Sequence, residues 1–113
     1  MADPFRRGDI WLADLGPEIE PHPCILLSRD AAMARRRRAI VAIITTRAYG
    51  TRAEVWVGPD DGLERDSVID ADDLITLDTT LLLRRVGRLS PEKLPALAEA
   101  LRIALALPRF EQA

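Results

Sequence analysis

The sequence predicts a mainly β domain, built as a small barrel or sandwich, with one α-helix at its C-terminal end. Short runs of β-branched and apolar residues recur at close spacing up to residue 89, and clusters of Gly, Pro and Asp separate them. Residues 90–107 instead carry apolar residues at the three- and four-residue spacing of a helix. With 113 residues, 48% of them apolar, and no internal repeat, the chain is predicted to form one globular domain.

The predicted strands follow one another along the chain. Ile10–Leu15 mixes β-branched, aromatic and aliphatic residues and is closed by a Gly-Pro pair, and Cys24–Ser28 is a second strand. Ala39–Thr45 is nearly all apolar and β-branched, which is typical of a strand buried on both faces and predicts the centre of the sheet. Ala53–Val57 alternates and ends at a Gly-Pro-Asp-Asp-Gly turn. Three further short strands are predicted at Ser67–Asp70, Leu74–Leu77 and Arg84–Leu89.

The C-terminal helix has a start and a stop in the sequence. Ser90 is a favourable N-cap, Pro91 occupies the first helical position, and Pro108 ends the helix. Pro95 conflicts with a continuous helix because it cannot donate a backbone hydrogen bond, so we predict a separate 3₁₀ piece for the first turn. One apolar stripe runs along the helix and consists of Leu94, Leu97, Ala98, Leu101, Ala104 and Leu105.

Composition and charge exclude several classes of protein. No run of 18 apolar residues and no signal sequence occur, so we expect a soluble cytoplasmic protein without a membrane segment. A single cysteine, Cys24, and a single histidine, His22, exclude an internal disulfide and argue against a metal site, so we expect no metal and no cofactor. The net charge is −2, yet residues 29–53 hold seven arginines and one acid, whereas residues 58–79 hold eight acids and one arginine. Arginine suits bidentate contacts to phosphate.

Six motifs follow one another along the chain: Arg7–Leu15, His22–Ser28, Ile43–Thr46, Glu64–Ile69, Thr76–Asp78 and Arg85–Leu94. Their order and spacing resemble those of the MazF/PemK toxins of bacterial type II toxin–antitoxin pairs. The resemblance runs from residue 6 to residue 107, which we take as a single toxin domain with short termini at 1–5 and 108–113.

This resemblance implies a fold, an activity and partners. The implied fold is a five-stranded SH3-like barrel of the MazF, Kid and CcdB kind with a C-terminal α-helix. The implied activity is metal-independent, sequence-selective cleavage of single-stranded RNA, whether mRNA, tRNA or rRNA. The implied partners are a second copy of the chain in a homodimer and a MazE-like antitoxin.

Cleavage of RNA without metal uses the 2′-hydroxyl beside the scissile phosphate as nucleophile. The protein must then supply a base, donors for the negative phosphorane and an acid for the leaving oxygen. The family pattern places an arginine immediately before the proline of the second strand, and here that position is His22. Histidine titrates near neutral pH and can fill either proton role, or it can simply occupy a turn between two prolines. The family's hydroxyl at the end of the third strand is present as Thr45, a catalytic candidate.

The loop before His22 is shorter than is usual in the family and contains three prolines. A residue before proline is pushed toward extended geometry, so Glu20 and His22 are predicted to project to the same side. A carboxylate there would stabilise the charged imidazole, which makes Glu20 a third catalytic candidate. The alternative is a solvated loop.

The candidate RNA-binding residues fall in two groups. The basic group could hold phosphates or could simply be solvated, and it contains Arg35, Arg36, Arg37, Arg38 and Arg47, with Thr46 beside them. Asp72 and Asp73 lie where many family members have a glutamine and an arginine, and they either accept hydrogen bonds from base amino groups or form a plain acidic turn. Trp11 and Trp56 are predicted to be core residues.

Two other functions remain open from the sequence. The chain could be a catalytically impaired module that binds only antitoxin or nucleic acid, since His22 replaces the family's arginine. A gyrase inhibitor like CcdB shares the barrel but acts through a tail that ends in Trp-Gly-Ile, and Phe110–Ala113 does not match that tail.

Overall fold

The computed structural model describes residues 4–109, which form one antiparallel sheet of six strands and two α-helices. The predicted mainly β class with a C-terminal helix is confirmed. The resemblance implied five strands, and the sheet has six, in the order β4-β5-β3-β2-β1-β6. In chain order the elements are β1 (Asp9–Ala13), β2 (His22–Leu26), α1 (Asp30–Arg36), β3 (Arg38–Thr45), β4 (Glu54–Val57), β5 (Ser67–Asp78), β6 (Leu82–Arg88) and α2 (Leu94–Ala104).

Two of the predicted strands are parts of one strand. β5 joins the segments around Ile69 and Ile75 and pairs with β3 along both of them. Ala42 pairs with Leu74 and its neighbour Ile43 pairs with Asp70, so residues 71–73 form a bulge in β5. The acidic bulge broke the apolar pattern in the sequence, which is why one bent strand resembled two short ones.

The two edge strands of the sheet are brought together by a contact between glycines. The turn after β4 packs on β6 so tightly that a Cβ on Gly87 would lie 2.0 Å from the carbonyl oxygen of Asp61. A Cβ on Gly62, whose φ is +96°, would lie 2.6 Å from the carbonyl oxygen of Val86. Because β4 and β6 are opposite edges of the sheet, this contact curls the sheet into a barrel.

The sheet buries apolar side chains on both faces. The cluster on one face packs under α2 and includes Ile10, Ile25, Ile44, Val55, Ile69 and Leu97. The cluster on the other face packs under α1 and includes Trp11, Cys24, Leu26, Met33, Val41 and Ile43. The prediction that Trp11 is a core residue is confirmed. Burial raises the pKa of the Cys24 thiol to about 12, so this cysteine is held in its unreactive protonated form.

The first helix was not predicted from the sequence, whereas the C-terminal helix was. Residues 30–36 form α1, where the sequence predicted a connection; Met33 is its only buried residue, so it shows no apolar stripe. The predicted 3₁₀ turn is present at Pro91–Lys93, and α2 begins at Leu94. Pro95 therefore lies in the first turn of α2, where its missing N–H costs nothing. No helix among residues 4–109 is long and apolar enough to cross a membrane.

Ser90 does not cap the helix as predicted, because its side chain binds a buried carboxylate instead. Asp61 accepts hydrogen bonds from the N–H of Gly58, from the N–H and hydroxyl of Ser90 and from the Lys93 ammonium at 2.6 Å. Burial alone would raise the pKa of Asp61, but Lys93 and the other donors outweigh burial and lower it to about 2. This ion pair fixes the start of the helical segment to the turn that closes the barrel.

Candidate functional site

His22 and Thr45 lie at the same end of neighbouring strands. The last paired residues of β2 and β3 are Cys24 and Ile43, and the ladder stops there because Pro23 has no N–H to extend it. His22 and Thr45 each lie two residues beyond that pair, so the register sets them opposite one another. Both point to the face that carries Cys24 and Ile43, because side chains alternate along a strand.

The Thr45 side chain is fixed by a local hydrogen bond. Its Oγ1 accepts the N–H of Arg47 at 3.1 Å, and the residue is half-buried. The hydroxyl hydrogen remains available for an acceptor outside the protein. Thr46 and Arg47 follow on the exposed start of the β3–β4 loop.

His22 is half-buried and pairs with Ala13 of β1. Within residues 4–109 the imidazole forms no hydrogen bond and no ion pair. The described residues show no contact between Glu20 and His22, so the role of Glu20 beside the imidazole stays a prediction. Glu20 is exposed, with Pro21 between the two residues, and water solvates its carboxylate better than a half-buried ring would.

A groove of about 720 Å³ lies on the same face of the sheet, beside this strand end. We call it the strand-end groove; it is lined by Asp14, Gly16 and Pro17 from the β1–β2 loop and by Ile43, Asp73 and Leu77 from the sheet. Asp14 accepts the N–H of Gly16 through Oδ1 at 2.9 Å, which leaves its second oxygen free. Sequence reasoning missed Asp14, because the predicted strand Ile10–Leu15 ran through it, whereas β1 ends at Ala13.

The bulge of β5 places a group of carboxylates near the groove. Asp72 and Asp73 are exposed, as a role in contacting bases requires. Burial raises the pKa of Asp70, the carboxylates of Asp72, Asp73 and Glu54 raise it further, and the N–H of Asp72 partly offsets both effects. No three His, Cys, Asp or Glu side chains in the described part of the chain are arranged to hold a metal ion.

The arginine run lies at the other end of β3. A second groove, of about 990 Å³, is lined by Arg29, Arg35, Arg36 and Arg38 with an apolar floor of Leu27, Ala31, Ala32 and Ile40. We call it the arginine groove. Arg38 and Thr45 are the first and last residues of β3, which separates them by roughly 23 Å at a rise of 3.3 Å per residue. Within one chain, the run from Arg35 to Arg38 is therefore not brought to His22 and Thr45.

Arg37 differs from its neighbours in the run. It ends α1 with a left-handed backbone, φ 54°, and its N–H donates to the carbonyl of Met33. The N–H of Thr80 chiefly lowers the pKa of Asp78, and the positive charges of Arg38 and Arg37 lower it further. The Asp78 carboxylate therefore lies within range of the positive charges of Arg37 and Arg38.

The prediction that Trp56 belongs to the core is wrong. Val55 and Val57 on either side of it are buried, and the alternation of the strand turns Trp56 outward, where it is 64% exposed. In β4 Trp56 shares its face with the charged Glu54, whereas Val55 and Val57 form the apolar face, so the alternation itself indicated an outward Trp56.

The fold and the site together define a small antiparallel barrel. His22 and Thr45 lie at one end of its strands, and the strand-end groove with its carboxylates lies beside them. Residues 6–105 match the family described as the PemK-like, MazF-like toxin of type II toxin–antitoxin system, and the chain belongs to this family. The resemblance seen in the sequence is thereby confirmed.

Two curated relatives are similar over most of their length. The chain is 37% identical over 100 residues to the probable endoribonuclease MazF5 of Mycobacterium tuberculosis, covering 88% of this chain and 91% of the relative. It is 33% identical over 113 residues to endoribonuclease EndoA of Bacillus subtilis, covering 93% and 97%.

Solved structures agree with this relationship. The Mycobacterium tuberculosis toxin MazF-mt6 superposes with a TM-score of 0.83 at 33% identity, covering 89% of this chain and 99% of that one. A mycobacterial endoribonuclease in complex with its cognate antitoxin superposes with a TM-score of 0.84 at 27% identity, covering 93% and 98%.

Proposed function

We propose that the protein is the toxin of a type II toxin–antitoxin pair and acts as a metal-independent, sequence-selective endoribonuclease on single-stranded RNA. The observation that carries the proposal is the register that sets His22 and Thr45 opposite one another at one end of β2 and β3, beside the strand-end groove. The two curated relatives that are named as endoribonucleases support it.

In the proposed reaction the RNA supplies its own nucleophile. The 2′-oxygen attacks the adjacent phosphorus while its proton passes to a base, and the bond to the 5′-oxygen breaks as that oxygen receives a proton from an acid. We assign one of these proton transfers to His22 and the donation of a hydrogen bond to a phosphoryl oxygen to Thr45. Glu20 is the proposed second proton carrier, and Asp14 and Asp73 contribute further carboxylates to the adjoining strand-end groove. The products are a 2′,3′-cyclic phosphate and a 5′-hydroxyl.

The proposed RNA contacts fall into a near group and a far group. Thr46 and Arg47 adjoin Thr45, and Asp72 and Asp73 line or adjoin the strand-end groove, where they would accept hydrogen bonds from base amino groups. The far group is the run from Arg35 to Arg38, which would contact phosphates at a distance from the bond that is cut.

We further propose that the protein forms a homodimer in the cytoplasm and is inhibited there by a MazE-like antitoxin. A small barrel has a limited core of its own, which favours association. The structure of the mycobacterial endoribonuclease in complex with its cognate antitoxin supports the proposal that this protein also binds an antitoxin. The apolar floor and arginine rim of the arginine groove suit a segment that carries both apolar and acidic side chains.

The test is cleavage of single-stranded RNA in EDTA, with the new ends identified chemically. We expect cleavage to persist and to leave 2′,3′-cyclic phosphate and 5′-hydroxyl ends, and mapping of the new ends should reveal a preferred sequence. Activity that disappears on chelation and returns with magnesium would contradict the proposed mechanism.

The second candidate is a module that binds antitoxin or nucleic acid without cutting RNA. It is favoured by one observation, that His22 occupies the position of the family's arginine. RNA binding without cleavage by the wild type at any pH would select this alternative. The tail on which a CcdB-like action would depend, Phe110–Ala113, lies outside the described residues.

A further inference from the structure

Trp56 lies on the solvent-exposed face of β4, outside the core. Trp56 is 64% exposed, although its neighbours Val55 and Val57 are buried in the core. A side chain of this size usually gains stability by being buried in the core. Its exposure therefore points to a contact outside the chain.

The strand register places this indole in one row with the proposed catalytic hydroxyl. Trp56 of β4 pairs with Val68 of β5, and Val68 pairs with Thr45 of β3. Residues directly opposite in an antiparallel sheet point to the same face, and neighbouring strands are about 4.8 Å apart. The Trp56 backbone is therefore roughly 10 Å from that of Thr45, on the same face of the sheet.

A second exposed aromatic ring is held nearby by the β3–β4 loop. Tyr49 is 65% exposed, and the Arg47 guanidinium lies 5.5 Å from the centroid of its ring. The carboxylate of Glu54 accepts the N–H groups of Tyr49, Gly50 and Thr51 at 2.7 to 2.9 Å, which fixes the loop to the start of β4. The backbone that carries Tyr49 is thus held by the fold itself.

The charges on this face select the part of a nucleotide that can lie on it. Glu54 and Asp70 pair across β4 and β5, and exposed Asp72 adjoins them. These carboxylates repel phosphates but accept hydrogen bonds from base amino groups. Aromatic faces and arginine planes are the surfaces on which proteins stack unpaired bases.

Resting on the proposed function, we propose that Trp56 and the Tyr49–Arg47 pair form a base-stacking subsite for the RNA nucleotides next to the scissile phosphate. The bases lie on the aromatic rings and the acidic strand, while the sugar-phosphate chain follows Thr45 and Arg47. Stacking tolerates any base, so this subsite contributes affinity and position, whereas the carboxylates contribute base preference.

The test is the affinity of short single-stranded 2′-O-methyl RNA of randomised sequence, which cannot be cleaved because its 2′-oxygens are blocked. Trp56→Ala should weaken binding about 5- to 100-fold, the loss expected for one stacked base, while Trp56→Phe should keep most of the affinity. Leu83→Ala is the matched control, because Leu83 is a 51% exposed apolar residue on the opposite edge strand and should not matter. RNA should quench the fluorescence of the exposed indole in the wild type and not in Trp56→Phe.

The possible outcomes separate this proposal from the function on which it rests. Wild-type protein that neither binds nor cleaves RNA would overturn both. The stacking subsite alone would be overturned if the wild type cleaves RNA while Trp56→Ala binds RNA with unchanged affinity and shows the same fluorescence quenching. A dimeric wild type that becomes monomeric in Trp56→Ala, by light scattering, would assign the indole to a protein interface and equally overturn the subsite.

Discussion

The substitution His22→Arg can distinguish whether His22 acts as a cation or carries a proton. His22→Ala should lower the cleavage rate by roughly 10² to 10⁴ without unfolding the protein, because a positioned acid or base contributes about that factor. If the imidazole moves a proton, His22→Arg should be nearly as damaging, since a guanidinium stays protonated at neutral pH. If the site needs only a cation, His22→Arg should keep or raise activity.

The pH profile of the rate is the independent measurement for His22. If His22 transfers a proton, the cleavage rate should depend on pH, and His22→Arg should abolish that dependence. Circular dichroism of each variant controls for folding. A rate and profile unchanged in His22→Ala would move the proton chemistry to the carboxylates of the loop and groove.

Asp61 should make the free energy of unfolding depend on pH in the acid range. Its pKa is about 2 in the folded protein against an ordinary 3.8, so its contribution is present above pH 3.8 and is lost as the pH falls toward 2. The shift corresponds to about 2 kcal/mol of unfolding free energy. Asp61→Asn should lose about this amount in urea unfolding at pH 7, and its difference from the wild type should shrink below pH 4.

The matched control is Asp60→Asn, which removes an exposed carboxylate from the neighbouring position of the same turn. It should change the unfolding free energy by less than about 0.5 kcal/mol at every pH, as expected for an exposed surface group. Equal losses in the two variants would show that the Lys93 and Ser90 contacts do not stabilise the fold.

At the scale of individual residues, the resemblance in the sequence pointed to Thr45 and His22, and their catalytic roles stay predictions. The structure adds that the register sets the two residues opposite one another. Trp56 was misassigned because its size was given more weight than the alternation of β4, in which it shares a face with Glu54. A spacing of two residues fixes a side and not a distance, so the pairing of Glu20 with His22 also stays a prediction.

The elements were predictable in proportion to their burial. β3 is buried along most of its length and was predicted almost to the residue. The apolar stripe and the prolines predicted α2. α1 buries Met33 alone, so no stripe marked it, although its Ala, Met and Arg residues are strong helix formers. Its existence matters because it groups the arginines into one groove wall.

Replacing Arg35, Arg36 and Arg38 together by glutamine should weaken RNA binding across sequences and leave the cleavage motif unchanged. Each arginine that neutralises a phosphate of a single strand contributes about 0.7 to the slope of log affinity against log salt, so the slope should fall by up to about 2. The measurement is RNA affinity at several salt concentrations.

An equal change of charge elsewhere is the control for that experiment. Arg6, Arg65 and Arg84 are exposed arginines outside the arginine groove, and their replacement by glutamine removes the same charge. If this variant and the groove variant lose the same slope, the arginine groove has no specific part in RNA binding.

For the molecule as a whole, we expect a dimer at micromolar concentration. The described chain leaves several large apolar side chains more than 45% exposed, among them Ile40, Leu94 and Leu105, as a protein with a further interface would. Light scattering should give twice the 12.6 kDa of one chain. A mass of one chain across that concentration range would contradict the expected association.

The closure of the barrel also determines when during synthesis the protein can become active. β1 pairs with β6, and the carbonyl of Gly8 accepts the N–H of Leu89, so the first strand of the sheet needs one of the last. β2 and β3 can meet soon after they leave the ribosome, but β1 keeps an unpaired edge until residues 82–88 have emerged. A chain released before β6 lacks both that partner and the glycine contact of Gly87 with the β4 turn. Such a fragment exposes its core to proteases and chaperones, so only near-complete translation yields a folded toxin.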